Sequence, residues 1–197
     1  MANISVNDIT TSNETGTATF TVTLSEAVGS DVTVDFTTSS QTLNFTTAVI
    51  DSSADGAKDV YVADMDGDGD LDVVSASYTD NTIAWYENDG AANPSWTAVD
   101  IATSADGAFD VHVADMDGDG DLDIVSASRL DNTIAWYEND GAANPSWSAA
   151  DITTSALAAK DVYVADMDGD GDLDIVSALS QKGIIAWYEN DGNLNTS

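Results

Sequence analysis

The chain has almost no basic residues and no cysteine. Its 197 residues include four Lys or Arg, one His and no Cys, against 36 Asp or Glu, which gives a formal net charge of -32. Without cysteine there is neither a disulfide framework nor a thiol nucleophile. A surface with this charge repels nucleic acid and anionic membranes, so we expect neither as a partner.

Long apolar segments are lacking as well. No apolar run approaches the roughly 18 residues that a membrane-spanning helix requires, so we expect no membrane insertion. Residues 1–5 also lack the basic and apolar parts of a signal peptide. We therefore expect either that such a segment has been removed or that the chain is part of a longer one.

The residues from which a catalytic centre is built are scarce too. His112 is the only histidine, and it occupies the position of Tyr61 and Tyr163 in an internal repeat. No serine has a candidate base, and paired carboxylates occur only in the acidic loops described next. A nucleophilic or acid–base constellation therefore cannot be assembled, and we predict that the chain is not an enzyme.

What the chain has in excess is aspartate, gathered in a nine-residue loop that occurs three times. Residues 64–72 read Asp-Met-Asp-Gly-Asp-Gly-Asp-Leu-Asp, and the same residues recur at 115–123 and 166–174. Alternating Asp followed by Gly is the first half of an EF-hand-type calcium loop. Oxygen donors without His or Cys indicate a hard divalent ion. We predict one Ca²⁺ per loop, three in all; Mg²⁺ is less favoured because it keeps more of its waters.

The calcium loop predicts a role for each position. Positions one, three and five would supply side-chain oxygens, position seven a backbone carbonyl, and position nine the closing carboxylate. In the first loop, Gly69 permits the turn, the side chain of Asp70 is expected to face solvent, and Leu71 is expected to be the buried anchor. Every carboxylate of the loops is kept as a candidate metal ligand: Asp64, Asp66, Asp68, Asp70, Asp72, Asp115, Asp117, Asp119, Asp121, Asp123, Asp166, Asp168, Asp170, Asp172 and Asp174.

The loops lie in an internal repeat of 51 residues. The apolar residues alternate with period two and β-branched residues are frequent, which favours strands over helices. The second unit contains four strand-like segments, Trp96–Ile101, Asp110–Ala114, Asp123–Ser128 and Thr133–Tyr137. Four short strands in each repeat are typical of a propeller blade. We predict an all-β fold with three tandem four-stranded β-propeller-type blades, in units of about 43–94, 95–145 and 146–197.

Residues 1–41 have a different composition, rich in Thr, Ser and Val. Candidate strands are Ile4–Val6, Thr17–Leu24 and Asp31–Phe36, where polar and apolar residues alternate. Three strands make a poor isolated domain. We therefore predict a short N-terminal β segment of an incomplete sandwich, followed by the repeats over residues 42–197.

One tryptophan recurs in each unit, at Trp85, Trp136 and Trp187. One aromatic ring per blade at a fixed position is expected to fill the core between blades. The alternative is a sugar-stacking surface. The tyrosines that follow, Tyr86, Tyr137 and Tyr188, point to the opposite face of the same strands and are predicted to be exposed.

Two long runs in the third unit, residues 161–178 and 185–192, resemble the VCBS / FG-GAP-like repeat, and the likeness covers roughly residues 43–193. The resemblance implies propeller blades with a calcium ion in an inter-strand loop. Residues 4–8 and 18–25 are similar to the start of a Calx-beta domain. Such propellers close with about seven blades, and three lie below the usual minimum of about four. Either the chain is a fragment, or neighbouring copies complete it.

The sequence thus favours a non-catalytic, calcium-stabilised, extracellular or cell-surface structural protein. Unpaired strand edges at the ends of an open stack would pair with other copies, with the N-terminal segment donating strands, and would form a head-to-tail filament or surface fibre. The alternative is an adhesin or lectin-like module that binds glycans through the tyrosine face. A third interpretation is that the repeats accompany a hydrolase domain outside this chain.

Overall fold

The computed structural model describes residues 4–6, 22–24, 44–181 and 183–192. They belong to two compact units, Met1–Thr46 and Thr47–Ser197. All the regular structure in these ranges is antiparallel β-sheet, which confirms the all-β prediction. No helix in them is long and apolar enough to cross a membrane.

Among the described residues of the first unit, two short strands form a small sheet. Strand β1 (Ile4–Val6) pairs with β2 (Val22–Leu24), and Ile4 lies opposite Leu24. Both strands fall within predicted segments. The third predicted strand, Asp31–Phe36, lies outside the described residues.

The second unit contains three antiparallel sheets, in each of which consecutive strands are neighbours. The first sheet consists of β3 (Ala57–Ala63), β4 (Asp72–Ser77), β5 (Thr82–Asn88) and β6 (Trp96–Ala102). The second consists of β7 (Ala108–Ala114), β8 (Asp123–Ser128), β9 (Thr133–Asn139) and β10 (Trp147–Thr153). The third consists of β11 (Ala159–Ala165), β12 (Asp174–Leu179) and β13 (Ile184–Tyr188).

These sheets are offset by one strand from the predicted units. The strand that begins at Trp96 was predicted to open the second unit, but it is the last strand of the first sheet, with Trp96 opposite Asn88. The turn before it explains the difference. The carboxylate of Asp89 accepts hydrogen bonds from the amides of Ala91 and Ser95, at 3.1 and 3.0 Å, and so folds the chain back onto β5. The third sheet has three strands in the described ranges, against the four predicted.

The sheets pack face to face, so both faces of the second sheet are covered. Between the first and second sheets lies one apolar cluster, which includes Met65, Trp85, Val111, Val113 and Ile124. Between the second and third sheets lies another, which includes Met116, Val125, Ile134, Val162 and Ile175. Equivalent positions of the repeat fill both clusters.

The tryptophans follow this packing, since their exposure depends on whether another sheet covers them. Trp85 is 1% exposed, Trp136 is half-buried, and Trp187 on the third sheet is 49% exposed. The prediction that the tyrosines are exposed is wrong for Tyr86 and Tyr137, which are buried at 4% and 5%. It failed because the first sheet covers Tyr137, which packs in the cluster between the first two sheets, and because the hydroxyl of Tyr86 donates to Asp51, at 3.2 Å.

The first strands of the three sheets are joined side by side by carboxylate–amide hydrogen bonds. Asp59 on β3 accepts a hydrogen bond from the amide of Val111 on β7, at 3.1 Å. Asp110 on β7 accepts one from the amide of Val162 on β11, at 2.7 Å. Two residues further along, the rings of Tyr61, His112 and Tyr163 lie in a row, with centroids 5.2 and 4.7 Å apart. His112 therefore takes the place of a tyrosine in this row of rings.

Asp110, on the middle of these first strands, has a raised pKa. Burial, together with the like charges of Asp59 and Asp161, raises the pKa of Asp110 to about 7. Its unfolded pKa is near 3.9. The folded state thus favours the neutral acid, and the resulting contribution to stability is present at low pH and is lost as pH rises from about 4 through 7.

We expect Asp110→Asn to stabilise the protein more at pH 8 than at pH 5, by about 1–2 kcal/mol after allowance for solvent screening. Asparagine keeps the acceptor for the Val162 amide and removes the ionisation. Urea unfolding in saturating calcium at both pH values would measure the difference. The exposed Asp55→Asn variant is the control for loss of one negative charge. Equal effects of the two substitutions at the two pH values would contradict the assignment.

Candidate metal centres

Each acidic loop connects the first and second strands of its sheet and is shaped by its own carboxylates. In the first loop, Asp66 Oδ1 accepts the amide of Asp68 at 3.2 Å, and Asp68 Oδ1 accepts the amide of Asp70 at 2.8 Å. Asp64 Oδ2 accepts the amide of Gly69 at 3.0 Å. The second and third loops repeat these bonds. These short-range bonds curl the backbone around the side chains of positions one, three and five.

The loop glycines are required by backbone conformation. Gly67 and Gly69 have φ of 74° and 97°, in the left-handed region that side chains with a Cβ adopt at a cost. A Cβ at either position would meet no atom within 4 Å. Conformation, and not lack of space, therefore explains both glycines, of which the sequence analysis identified only Gly69.

The loops bring three carboxylate oxygens together in each sheet. One oxygen from each member of a group lies within 4.8 Å of the others, and the groups are Asp64, Asp66 and Asp72; Asp115, Asp117 and Asp119; and Asp166, Asp168 and Asp170. Positions one and three occur in every group, and position five or nine completes it. Oxygens about 2.3–2.6 Å from one central ion would be separated by such distances.

One atom of the first loop tests whether a cation fits. Asp64 Oδ1 is buried and has no hydrogen-bond partner among the described residues, whereas Asp64 Oδ2 is bonded to Gly69. A buried carboxylate oxygen without a partner is costly. A cation among the three oxygens would satisfy it, so the donor set fits a hard divalent ion.

The charges of the loops point the same way. Burial raises the pKa of Asp66, and the neighbouring carboxylates of Asp68, Asp72 and Asp64 add to the rise. The equivalent Asp117 and Asp168 have raised pKa values for the same two reasons, burial first and adjacent carboxylates next. The folded loop therefore holds its negative charges at a cost that a bound cation would offset.

The ninth carboxylate of each loop is the structural one. Asp72 is 1% exposed, and its two oxygens accept the amide of Met65 at 3.1 Å and the amide of Asn88 at 2.9 Å. Asp123 and Asp174 make the equivalent pairs of bonds. Burial raises the pKa of Asp123 to about 6. The ninth position thus joins the start of the loop to the end of the third strand of its sheet.

The sequence analysis did not identify an asparagine at that strand end. Asn139 is 2% exposed, and its side-chain amide donates to the carbonyls of Met65 at 2.9 Å and Leu122 at 3.1 Å. Its Oδ1 accepts the amide of Gly141 at 3.0 Å. Met65 belongs to the loop of the preceding sheet, so Asn139 couples two successive loops. Its recurrence at the repeat spacing was the available signal.

Two further expectations for the loop are corrected. The carboxylate of Asp70 does not face open solvent: it is half-buried against Gly90, in the turn after β5, and lies outside the oxygen group. Asp121 and Asp172 lie in the same way against Gly141 and Gly192.

Leu71 is 58% exposed and is not the anchor, which is Met65 at 2% exposure. Position two points into the space between its sheet and the following one. Position eight faces the preceding sheet instead. Leu122 therefore packs against the first apolar cluster and Leu173 against the second, whereas Leu71 has no such sheet beside it.

Comparison with known proteins agrees with this geometry. The FG-GAP-like repeat family matches at residues 64–126 and 115–177, which together span more than half of the chain. The chain therefore belongs to the FG-GAP-like repeat family. No curated protein and no solved structure matches it significantly. The Calx-beta likeness of the first residues stays a prediction.

We expect Asn139→Ala to lower the free energy of unfolding by about 2–4 kcal/mol, because it removes the donor from one buried and one half-buried carbonyl. Asn190→Ala removes the equivalent bonds to Met116 and Leu173, which are longer and half-exposed, and should cost about 1 kcal/mol. Urea unfolding followed by tryptophan fluorescence would compare the variants. Equal losses would contradict a special role for the buried coupling.

Proposed function

We propose that this protein is a non-catalytic, calcium-stabilised, extracellular structural protein whose copies associate head to tail into a filament. The observation that carries the proposal is that the two ends of the stack of sheets expose the residue positions that are buried between sheets. A propeller-type blade is the unit of the stack, and each blade holds one calcium ion.

Calcium is favoured over other ions by the chemistry of the loops. Each group consists of carboxylates alone, from positions one and three together with position five or nine, and Ca²⁺ accepts several such ligands in flexible geometry. Extracellular calcium modules have Kd values of about 10⁻⁴ to 10⁻³ M, and the need for calcium at such concentrations supports an extracellular location. No Lys, Arg or His occurs within any of the three loops, so the ion would be their counter-charge.

The face at the start of the stack is apolar and exposed. On β3, Val60 and Val62 are 60% and 53% exposed. Their counterparts on β7, Val111 and Val113, are 3% and 5% exposed because the first sheet covers them. The first sheet therefore presents a surface that the repeat elsewhere buries.

The face at the end of the stack is apolar and exposed as well. Ile185 is 74% exposed and Trp187 is 49% exposed, whereas their counterparts on the first sheet, Ile83 and Trp85, are buried. Inside the chain, faces of these two kinds pack together twice. A contact of the same kind between copies would be head to tail, and a head-to-tail contact that does not close makes a filament.

A ligand-binding module of a larger secreted or surface protein is the alternative. Membership in a repeat family supports this alternative. Glycan binding through the tyrosine face is not supported, because Tyr86 and Tyr137 are buried. A monomer that binds glycans on an array would favour it over the filament.

We expect about three calcium ions to bind per chain, one in each oxygen group. Titration calorimetry and bound-metal analysis would measure this. Asp115→Asn should remove one ion, whereas Asp55→Asn, which changes the charge equally outside the loops, should remove none. When the free calcium concentration is about 100 times the Kd of a site, binding at that site should stabilise the fold by ~2.7 kcal/mol. Chelation should therefore lower Tm. Unchanged Tm on chelation would contradict a structural ion.

We expect electron microscopy to show filaments in millimolar calcium and their loss in chelator, because the ions hold the loops that border each contact and screen the acidic surfaces. Magnesium at equal ionic strength is the control for simple screening. A monomer at all concentrations, or a filament indifferent to chelation, would contradict the proposal.

A further inference from the structure

The third sheet ends, in the described ranges, on a strand that is paired along one edge only. Strands β5 and β9 each pair with a fourth strand, β6 and β10, whereas β13 pairs with β12 alone. The free edge of β13 therefore presents the amides and carbonyls that its counterparts use for pairing. Such an edge is a template for another strand.

The same chain contains an unpaired counterpart of that fourth strand. Residues 45–51, Phe-Thr-Thr-Ala-Val-Ile-Asp, precede β6 by one repeat of 51 residues. Residues 44–50 are all exposed, with Phe45 at 91% and Val49 at 71%, and form no strand. No backbone hydrogen bond joins residues 44–50 to any part of the chain that the structure describes.

A cavity marks the place where the first residue of the added strand belongs. Trp147, which begins β10, packs in the apolar cluster between the first two sheets, with its ring 6.5 Å from that of Trp85. Beside Trp136, the counterpart of Trp85, there is a cavity of about 420 Å³ lined also by Leu173, Tyr188 and Asn190. Phe45 occupies the repeat position of Trp147 but lies in none of the described sheets.

We propose that residues 45–51 of one copy form the fourth strand of the third sheet of the next copy, with Phe45 in this cavity. The inference rests on the proposed head-to-tail assembly and assigns the strand that makes it. By the register of β5 with β6, Tyr188 would lie opposite Thr47, Trp187 opposite Ala48, and Glu189 opposite Thr46. The donated segment differs from the N-terminal strands that the sequence alone suggested as donors.

The linker after this segment couples the pairing of the added strand to the packing of one copy's sheet on the next. Five residues separate β6 from β7 and β10 from β11, and five residues, 52–56, separate position 51 from β3. A donor strand paired in register with β13 therefore places the donor's first sheet on the acceptor's third sheet. The two sheets would pack in the same way as the second sheet packs on the first within one chain. That contact covers the exposed side chains of Val60, Val62, Ile185 and Trp187.

Cysteine pairs can read this register directly, since the chain has no cysteine of its own. Thr46→Cys with Glu189→Cys, oxidised mildly in calcium, should give a ladder of disulfide-linked multimers on a non-reducing gel. Thr46→Cys with Gln181→Cys is the off-register control and should give none. A disulfide within one chain, shown by the mass of a monomer, or equal ladders from both pairs would overturn the inference.

A chain with its own fourth strand separates this inference from the proposed function. Replacing residues 193–197 by the sequence of residues 91–102 should fill the edge of β13 and abolish filaments. Val49→Pro should abolish them too, because proline cannot donate to the ladder, whereas Ala92→Pro, in an exposed turn, should not. If the parent chain assembles and both altered chains assemble equally, the strand assignment is wrong and the filament stands. If the parent chain never assembles, both fail.

Discussion

Crowded negative charge is the constraint on which the rest of this structure depends. Each loop holds five carboxylates in nine residues, three of them with oxygens within 4.8 Å of one another. The loop backbone turns its amides toward these oxygens, and the buried ninth aspartate joins the loop to the end of the third strand of its sheet. Those bonds position the charges but do not cancel them. A divalent cation would offset the repulsion and allow the sheets to pack with the loops at their edges.

The packing of the sheets depends on the same loops. Met65 carries the loop into the apolar cluster between the first two sheets, while its carbonyl accepts the buried amide of Asn139 from the next sheet. A change in one loop would therefore be felt in two sheets. The carboxylates of Asp59 and Asp110 connect the sheets again through the first strands. The stack is thus held by apolar burial between faces and by polar contacts at both margins.

Much of this could be predicted from the sequence, because it is local or repeated. The loop pattern, the period-two strands and the spacing of 51 residues indicate the sheets, the oxygen groups and the family. What could not be predicted depends on which surface meets which. Tyr86 and Tyr137 alternate with tryptophan along their strands, and a half-exposed sheet would leave them in solvent. The first sheet covers Tyr137, and Asp51 accepts a hydrogen bond from the hydroxyl of Tyr86; sequence alternation indicates neither contact. The bonds of Asn139 cross between sheets and leave no local pattern beyond recurrence.

The sheets are offset by one strand from the 51-residue repeat. Because β6 and β10 fold back onto the sheet before them, each repeat begins with a strand that belongs to its predecessor. In the proposed assembly, residues 45–51 are the donated strand and the edge of β13 receives it. The exposure of Phe45 and the cavity beside Trp136 are the two sides of that single arrangement. The proposed assembly would also cover the exposed apolar faces at the two ends with sheets of neighbouring copies.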